Sequence, residues 1–365
     1  MLRCAAHAAE DLRAVAGISV DAHEILTGRA TLLDIAPSGR VSAGGATQLL
    51  RALDGWCALT LSRREDVAAV PALVERDETL PDPWPPVHYW ASTTPVESIV
   101  DRARLLDIPV AALGETVAAS PRVLPLDGVG APRPAAALLV ADLASMWAGP
   151  LCGQLLARAG ATVVKVESPS RPDGTRAGNR TFFDWMNGGK LSYAIDFDRD
   201  KERLRALLSA ADVVIEGSRP AALIRRGLGP NDLASRPGRV WVRISGYGTR
   251  GDNQMRPAFG DDAAVAGGLV GWAGHEPTFC GDAVADPLTG LTAARATFDA
   301  LTRGGGELIE IAMAEVAATH AGLPQIADEP DIHSPPPKPF AVAHDLGADN
   351  DAVARLLEAP AGTPF

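Results

Sequence analysis

The chain has 365 residues, of which 47% are hydrophobic and 22% are charged, and this is the composition of a folded globular protein. Its 45 acidic residues outnumber its 34 basic ones and give a formal charge of -11. So acidic a chain is unsuited to binding a nucleic-acid backbone over a broad surface. No run of about 18 apolar residues occurs, so we expect no membrane span.

The cysteines and histidines indicate neither a disulfide framework nor a metal site. Cys4, Cys57, Cys152 and Cys280 are scattered and form no CxxC pair, which is typical of reduced thiols. The seven histidines show no HExxH or comparable spacing, so we predict that no metal is bound. The first residues carry acids where a signal peptide has its apolar stretch, and we therefore expect a cytoplasmic protein.

The first third of the chain has an irregular order of predicted elements. "GWCALTL" at residues 55–61 predicts a strand, and residues 96–113 predict a helix that leads into a second strand. The proline-rich "LPDPWPP" at 80–86 interrupts this part, and "GAPRPAAA" at 130–137 is typical of a linker. We therefore predict a smaller α+β domain over residues 1–128.

From residue 138 onward, strands and helices alternate. The predicted buried strands are "LLVADL", "ATVVKVE", "DVVIEG" and "RVWVRISGYG", and the predicted helices between them are "GPLCGQLLARAG", "DKERLRALLSAA" and "PAALIRRGLG". This alternation predicts an α/β domain over residues 129–325, with an open, mostly parallel, Rossmann-like sheet covered on both faces. We expect residues 326–365 to form an extended tail and a terminal helix.

Ligands of such sheets bind beyond the carboxyl ends of the strands. This rule predicts one cleft, lined by residues 148–150, Glu167, residues 216–220 and residues 246–248. Glu167 also stands about 20 residues after the first turn, as in dinucleotide-binding proteins. However, the turn "SMWAGPLCG" is a poor match to GxGxxG, because Trp147 and Pro150 stand where bare backbone would be needed. A nicotinamide or flavin cofactor is therefore disfavoured.

The stretch "FCGDAVADPLTGLTAARATFDAL", residues 279–301, contains a candidate catalytic carboxylate. Its apolar residues recur at helical spacing, and Asp286 followed by Pro287 is a common way to begin a helix. Asp286 is either a structural cap or a nucleophile, and the residues alone leave both interpretations open. Cys280 is a second candidate nucleophile, although unreactive buried cysteine is the commoner case.

Two further features have both a structural and a functional interpretation. Arg225 and Arg226, with Arg219 nearby, could hold phosphates or form a solvated helix face. Gly44 and Gly45 could form an ordinary turn or a loop of bare backbone that approaches a reacting group.

Several segments together resemble one known family. "LLVADLASMWAGPLCGQLLARAGATVVKVESP", "NGGKLSYAIDF", "ADVVIEGSRPAALIRRGLG" and "GGGELIEIAMAEV" are similar, in this order, to segments of the class III CoA-transferases of the CaiB/BaiF type. That family includes formyl-CoA transferase, carnitine CoA-transferase and 2-methylacyl-CoA racemase. The resemblance covers roughly residues 136–318.

The resemblance implies roles for individual residues. Asp286 matches the family's nucleophile, whereas Asp282 lies too early relative to the helix. Gly44 and Gly45 match a glycine-rich loop that folds over the aspartyl intermediate, so we expect them to reach Asp286. The implied coenzyme A site consists of Ala148, Gly149, Pro150, Lys165, Glu167, Lys190, Glu216, Gly217, Ser218, Arg219, Arg225 and Asp261. Gly217 and Ser218 replace the family's Asn-Phe pair, and Ser168 replaces an arginine of formyl-CoA transferase.

The resemblance also implies an activity and a partner. It predicts transfer of coenzyme A from an acyl-CoA to a carboxylic acid through an aspartyl intermediate, by a homodimer. The segments "AGGATQLLRALDGWCALTL" and "PVESIVDRARLLDIPVAALGE" resemble the family's small domain but precede the large one, which is a permuted order. Two alternatives remain: an acyl-CoA racemase, which would need a histidine where this chain has Phe259 or Gly260, and a non-catalytic CoA-binding relic.

Overall fold

The protein is described here by a computed structural model that covers residues 2–77, 81–217, 221–323 and 335–358. It begins with two helices, α1 (Leu2–Ala16) and α2 (Ala22–Leu33). Asp21 starts α2, because its carboxylate accepts hydrogen bonds from the backbone N–H groups of His23 and Glu24 at 2.9 and 3.3 Å.

The next part of the chain builds a small antiparallel sheet of strands in the order β1-β2-β3. Its strands are β1 (Thr47–Arg51), β2 (Trp56–Thr60) and β3 (Val110–Ala112). Helices α3 (Arg64–Ala68), α4 (Val70–Leu73), α5 (Trp84–Ser92) and α6 (Val96–Leu105) accompany it. Every residue of β2 is buried, which agrees with its nearly continuous apolar sequence. The strand predicted at 55–61 and the helix and strand predicted at 96–113 are all present.

The larger sheet contains seven strands among the described residues, in the order β4-β12-β9-β8-β5-β6-β7. They are β4 (Arg122–Pro125), β5 (Leu139–Asp142), β6 (Thr162–Glu167), β7 (Leu191–Ala194), β8 (Val213–Glu216), β9 (Val240–Ser245) and β12 (Glu307–Ala312). All neighbouring pairs are parallel except β4 with β12. A separate hairpin pairs β10 (Gly271–Ala273) with β11 (Glu276–Thr278). The predicted mixed α/β fold with a mostly parallel sheet is confirmed.

Helices cover both faces of this sheet. They are α7 (Ala148–Arg158), α8 (Arg180–Asn187), α9 (Lys201–Ala210), α10 (Ala221–Ile224), α11 (Gly260–Ala266), α12 (Ala285–Thr302), α13 (Met313–Ala321) and α14 (Asn350–Glu358). Leu151, Leu288 and Leu291 belong to the apolar core on one face, and Leu204, Leu207 and Val353 to that on the other. No helix among the described residues is long and apolar enough to cross a membrane.

A chain of buried polar groups joins the small sheet to the large one. The fully buried carboxylate of Asp262 accepts hydrogen bonds from the hydroxyls of Thr60 and Tyr247, each at 3.1 Å. The Thr47 and Thr60 hydroxyls are 2.9 Å apart, and the Tyr247 hydroxyl also contacts the Val110 carbonyl. These bonds hold α11 against β2 and β3, so the two sheets meet through a defined polar contact.

The predicted division at residues 128 and 325 stays a prediction, but three elements that precede residue 128 pack with the large sheet rather than with the small one. Helices α1 and α2 pack into the apolar core of the large sheet, to which Leu12 and Ile25 contribute. Strand β4, which precedes residue 128, forms an edge of the same sheet. Helices α1 and α2 have apolar sides that the core of the large lobe covers, whereas β4 is held by its backbone pairing with β12.

Candidate active site

The turn after β5 places the start of α7 beyond the carboxyl ends of the central strands of the sheet. Because β5 lies between β6 and β8, chain connections run off in opposite directions there, and such a point is where open α/β sheets bind ligands. A Cβ atom on Gly149 would lie 2.1 Å from the Cβ of Ala144, and one on Gly217 would lie 3.3 Å from it. Small residues therefore let the start of α7 pack closely against the turn after β5, and a larger residue at position 149 would not fit.

Lys165 and Asp173 hold one side of this turn. The buried Lys165 ammonium donates to the Ala144 carbonyl and pairs with Asp173 at 2.8 Å. Asp173 in turn accepts from the backbone N–H of Met146 at 3.2 Å. Burial works against the charged form of Lys165, but Asp173 and neighbouring carboxylates overcome it and raise the pKa of Lys165.

Lys190 holds the other side of the turn. Its ammonium is buried and lies 2.8 Å from both the Asp142 carboxylate and the Pro150 carbonyl. Asp142 also accepts from the Ala144 N–H at 3.1 Å. The sequence assigned Lys165 and Lys190 to coenzyme A contacts. Because both amino groups are buried against internal acceptors, we now expect them to shape the turn rather than touch the ligand.

Asp286 lies at the beginning of α12, close to the start of α7. The N-cap residue of α12 is Val284, so of the two interpretations that the sequence left open, the structure does not show the one in which Asp286 caps its own helix. Asp286 is partly exposed as a residue, but its carboxylate is dehydrated and accepts a hydrogen bond from the backbone N–H of Ala148. A helix N-terminus stabilises a negative charge, and α7 directs its N-terminus at this carboxylate. The carboxylate of Asp286 is thus held by α7, and it does not cap α12, the helix to which it belongs.

Two acidic neighbours act on Asp286. Loss of hydration raises the pKa of Asp286 to about 7, and the charges of Asp261 and Asp282 push it in the same direction. Arg29 and the Ala148 N–H oppose that rise. The pKa of Asp261 is raised to about 6 by burial and by Asp282. This site therefore titrates near neutral pH, as general acids, bases and nucleophiles of enzymes often do.

Backbone geometry next to these residues is unusual. Met146 and Ala283 have φ values of 73° and 44°, although neither is glycine. Positive φ is unfavourable for residues with a Cβ atom, and it is found where a structure holds a functional group in place. Met146 comes two residues before Ala148, and Ala283 comes three residues before Asp286. Both segments that meet at the carboxylate are therefore strained.

Gly260 packs directly against Asp286. A Cβ atom on Gly260 would lie 2.3 Å from Oδ2 of Asp286 and 2.4 Å from the carbonyl of Ala283. A side chain at this position would displace the carboxylate or the strained turn before it. The next residue, Asp261, accepts a hydrogen bond from the backbone N–H of Ala283 at 2.9 Å, which ties the two segments together.

The loop that carries Gly44 and Gly45 begins at this cluster. The hydroxyl of the buried Ser42 donates to the carboxylate of Asp261, and it also accepts from the Thr47 N–H at 3.1 Å. Gly45 has a φ of 75°, and its N–H donates to the Ser42 carbonyl at 2.8 Å. A Cβ atom on either glycine would meet nothing within 4 Å. The loop is thus anchored beside Asp261, while its tip is surrounded by open space.

The remaining predicted ligand contacts have different environments. Glu167 pairs with Arg176 at 2.6 Å and accepts from the Asp173 N–H, and Glu216 is buried in an ion pair with Arg243. The carboxylates of Glu167 and Glu216 face internal partners, so we do not expect them to contact a ligand directly. Arg225 and Gly217 are exposed. The predicted contacts Ser218 and Arg219 lie outside the described residues.

Cys280 is unsuited to nucleophilic attack at neutral pH. Burial raises the pKa of its thiol to about 11, and the thiol contacts the Leu269 carbonyl at 3.5 Å. A thiol with so high a pKa holds very little thiolate. Over the part of the chain that the structure describes, no group of three or more His, Cys, Asp or Glu residues is arranged to hold a metal ion.

The sequence analysis missed Arg29. This residue of α2 forms an ion pair with the buried Asp282, and it is the basic residue that favours ionisation of Asp286. The D-x-x-E pattern at Asp21 could have revealed the helix, since it resembles a capping box. Nothing local could have revealed the contact with Asp282, because the two residues are 253 positions apart in the chain.

Comparison with known proteins gives a consistent result. Residues 136–333 match the model of CoA-transferase family III. The chain is similar to the succinyl-CoA--D-citramalate CoA-transferase of Chloroflexus aurantiacus, with 32% identity over 201 residues that cover 50% of each chain. It is also similar to the succinate--glutarate CoA-transferase of Agrobacterium fabrum, with 32% identity over 208 residues that cover 50% of this chain and 52% of the relative.

A solved structure, that of a CAIB/BAIF family protein from Brucella suis, is 32% identical with a TM-score of 0.47. That match covers 52% of this chain and 55% of the other. The chain spans about half the length of the curated relatives it matches.

Proposed function

Because the chain belongs to CoA-transferase family III, we propose that it transfers coenzyme A from an acyl-CoA thioester to a free carboxylic acid, with Asp286 as the nucleophile. The observation that carries the proposal is the position of Asp286, a partly exposed residue whose dehydrated carboxylate is held by the Ala148 N–H at the start of α7. Both residues fall within the segment that matches the family.

The proposed reaction has two balanced halves. Asp286 attacks the thioester carbonyl, which gives a mixed anhydride and coenzyme A thiolate. The thiolate then attacks the Asp286 carbonyl of the anhydride, which gives an aspartyl thioester and the free donor acid. The acceptor acid repeats these steps in reverse. It attacks the aspartyl thioester, which gives a second mixed anhydride and the thiolate. The thiolate then attacks the carbonyl of the acceptor, which gives the new acyl-CoA and free Asp286. A carboxylate suits this role because its acyl derivative stays reactive in both directions.

The surrounding residues support this chemistry. The Ala148 N–H and the N-terminus of α7 can stabilise negative charge that develops at Asp286. The loop of Gly44 and Gly45 is proposed to cover the intermediate and exclude water, and the position of Ser42 beside Asp261 supports this idea. We propose that coenzyme A binds beside the exposed Gly217, at the carboxyl end of β8, with the exposed Arg225 near its phosphates.

Trapping the intermediate tests the proposal. Protein incubated with succinyl-CoA, chosen because relatives carry that donor in their names, is treated with hydroxylamine and digested, and the peptides are analysed by mass spectrometry. We expect a hydroxamate at Asp286, and none in Asp286→Asn. The Asp282→Asn variant is the matched control and should still form the adduct at Asp286. An adduct at Asp282 instead, or unchanged transfer by Asp286→Asn, would refute the assignment.

The racemase alternative is not supported. Two-base proton exchange needs a second group beside the first, and Gly260, which packs against Asp286, has no side chain to supply one. Incorporation of deuterium at the α-carbon of a chiral 2-methylacyl-CoA in deuterated water would speak for that alternative. Stabilisation by coenzyme A without transfer to any of a panel of acids would indicate the non-catalytic CoA-binding relic.

We further propose that the protein works in the cytoplasm and as a homodimer. The scattered cysteines support a reducing compartment, and Cys57 and Cys152 are buried thiols that form no disulfide with another described residue. The dimer follows from the family resemblance. Light scattering coupled to size-exclusion chromatography would measure the mass in solution, and a species of one chain's mass at micromolar concentration would contradict it.

A further inference from the structure

Arg29 enters the site from a helix outside the segment that matches the family, which starts at residue 136. Helix α2 can approach closely because residue 28 is glycine: a Cβ atom there would lie 2.7 Å from Cη2 of Trp185 and 2.9 Å from Cγ of Pro337. The helix also contacts α12, which carries Asp286. The position of Arg29 is thus set by close packing of its helix.

The guanidinium of Arg29 is fixed on several sides. One N–H group pairs with the buried Asp282, and the guanidinium carbon lies 5.8 Å from the Trp147 ring centroid and 5.6 Å from that of Phe182. The two rings contact each other edge to face at 5.5 Å. The faces of aromatic rings attract a cation but accept no proton from it, so the rings hold the Arg29 guanidinium in its charged form. About a quarter of the side chain, 25%, remains exposed.

The charge balance at the site leaves a role for this cation. Asp261, Asp282 and Asp286 contribute three carboxyl groups, and Arg29 acts on all of them. When a free carboxylic acid, which is ionised at neutral pH, attacks, Asp286 is already a neutral thioester, and the acid must approach past the carboxyl groups of Asp261 and Asp282. Like charges repel, so an acid could bind here only beside a compensating cation. Trp147 adds a buried indole N–H that has no partner among the described residues.

We propose that Arg29 binds the reacting carboxylate of the free acid and positions it for attack on the aspartyl thioester. The guanidinium has five N–H groups in a planar arrangement, and one of them is used by Asp282. The others can donate hydrogen bonds to a carboxylate oxygen of the acid, and the Trp147 N–H can donate to the same carboxylate. Arg29 would then set the affinity for the acceptor acid and contribute little to recognition of coenzyme A. This inference rests on the proposed transferase activity.

The test separates binding of the acid from the first chemical steps. The double variant Arg29→Gln with Asp282→Asn removes both charges of the pair, so it leaves no unpaired buried carboxylate. We expect the KM for the acceptor acid to rise at least about tenfold, which corresponds to about 1.4 kcal/mol. Because Arg29 also favours ionisation of Asp286, adduct formation from acyl-CoA is measured by hydroxylamine trapping at a pH above which the rate no longer rises in either protein, and there it should stay within about threefold of wild type. The single variant Arg29→Lys keeps the charge, so its KM for the acceptor acid should lie between those of wild type and the double variant.

Arg158→Gln is the matched control. Arg158 donates to the Ser19 carbonyl at 2.6 Å and so supports the start of the α2 segment, away from Asp286. Its loss should lower stability without changing the KM for the acceptor. An unchanged acceptor KM in the double variant would overturn the inference while leaving the transferase proposal intact. A loss confined to dicarboxylic acceptors, with acetate unaffected, would also overturn it, because Arg29 would then bind the remote carboxylate. A wild-type protein that forms no adduct at Asp286 would instead refute the transferase proposal.

Discussion

The backbone N–H of Ala148 donates a hydrogen bond to the carboxylate of Asp286, so the N-terminus of α7 meets the first turn of α12. The two helices pack closely there, since a Cβ atom on Gly290 would lie 2.8 Å from the Ala148 carbonyl oxygen. An anion at Asp286 therefore lies at the positive end of α7. The following predictions concern the groups that create this arrangement.

The first prediction concerns pH and stability. Folding raises the pKa of Asp286 to about 7, so in the native state it holds a proton that the unfolded state releases near pH 4. The proton's contribution to the free energy of unfolding is therefore fully present below about pH 4, and it is lost as the pH rises through about 7. Asp286→Asn should be more stable than wild type at pH 8, by up to about 4 kcal/mol, and close to it near pH 4. Urea unfolding across this range measures the difference.

The same titration bears on activity. Attack requires the ionised carboxylate, so the rate of adduct formation at Asp286 should rise with pH through about 7. Because Asp261 raises the pKa of Asp286, Asp261→Asn should shift this profile to lower pH. A profile that Asp261→Asn leaves in place would contradict the coupling.

The second prediction concerns Lys165. Lys165→Met leaves the buried Asp173 without its cation, and loss of one partner of a buried pair destabilises by about 3–5 kcal/mol. Adding Asp173→Asn removes the uncompensated charge and should recover most of that loss, since an amide oxygen can still accept from the Met146 N–H. Denaturant unfolding gives both values. A double variant no more stable than Lys165→Met would show that the pair is not what holds this turn.

The third prediction concerns the glycine loop. Gly44 lies in open space and does not have positive φ, so Gly44→Val should fold normally. If the loop covers the intermediate, the variant should transfer coenzyme A more slowly and hydrolyse acyl-CoA faster relative to transfer. Gly45→Val is a less suitable variant, because its φ of 75° disfavours a valine by about 1–2 kcal/mol. An unchanged ratio of hydrolysis to transfer in Gly44→Val would argue against a covering role.

The fourth prediction concerns Gly260. Gly260→Ala places a methyl group 2.3 Å from the Asp286 carboxylate, so the carboxylate or the Ala283 turn must move. A displacement of about 1 Å can reduce a rate by about a hundredfold, and we expect a loss of that size in adduct formation. Gly178→Ala is the control, because its new methyl group would meet the nearest atom at 3.5 Å, an ordinary contact. Comparable rates for the two variants would contradict the proposed fit.

Much of the fold could be predicted because it follows from local patterns. Runs of apolar residues such as "ATVVKVE" and "DVVIEG" predicted the parallel strands, and helical spacing after Asp286 predicted α12. The order of the motifs predicted the family, and the matching segment was confirmed. Asp286 as the reactive carboxylate came from the same resemblance and stays a prediction.

Other properties depended on how distant elements pack. The sequence by itself determined which segments are strands and helices, because backbone preference and apolar periodicity act over a few residues. The tertiary structure decided that α1 and α2 cover the large sheet, that Ser42 reaches Asp261, and that Arg29 pairs with Asp282. It also decided that the amino group of Lys165 is internal rather than exposed to a ligand. Such contacts join residues far apart in the chain, and they form only where the combined burial of whole elements outweighs the entropy of closing the loops between them.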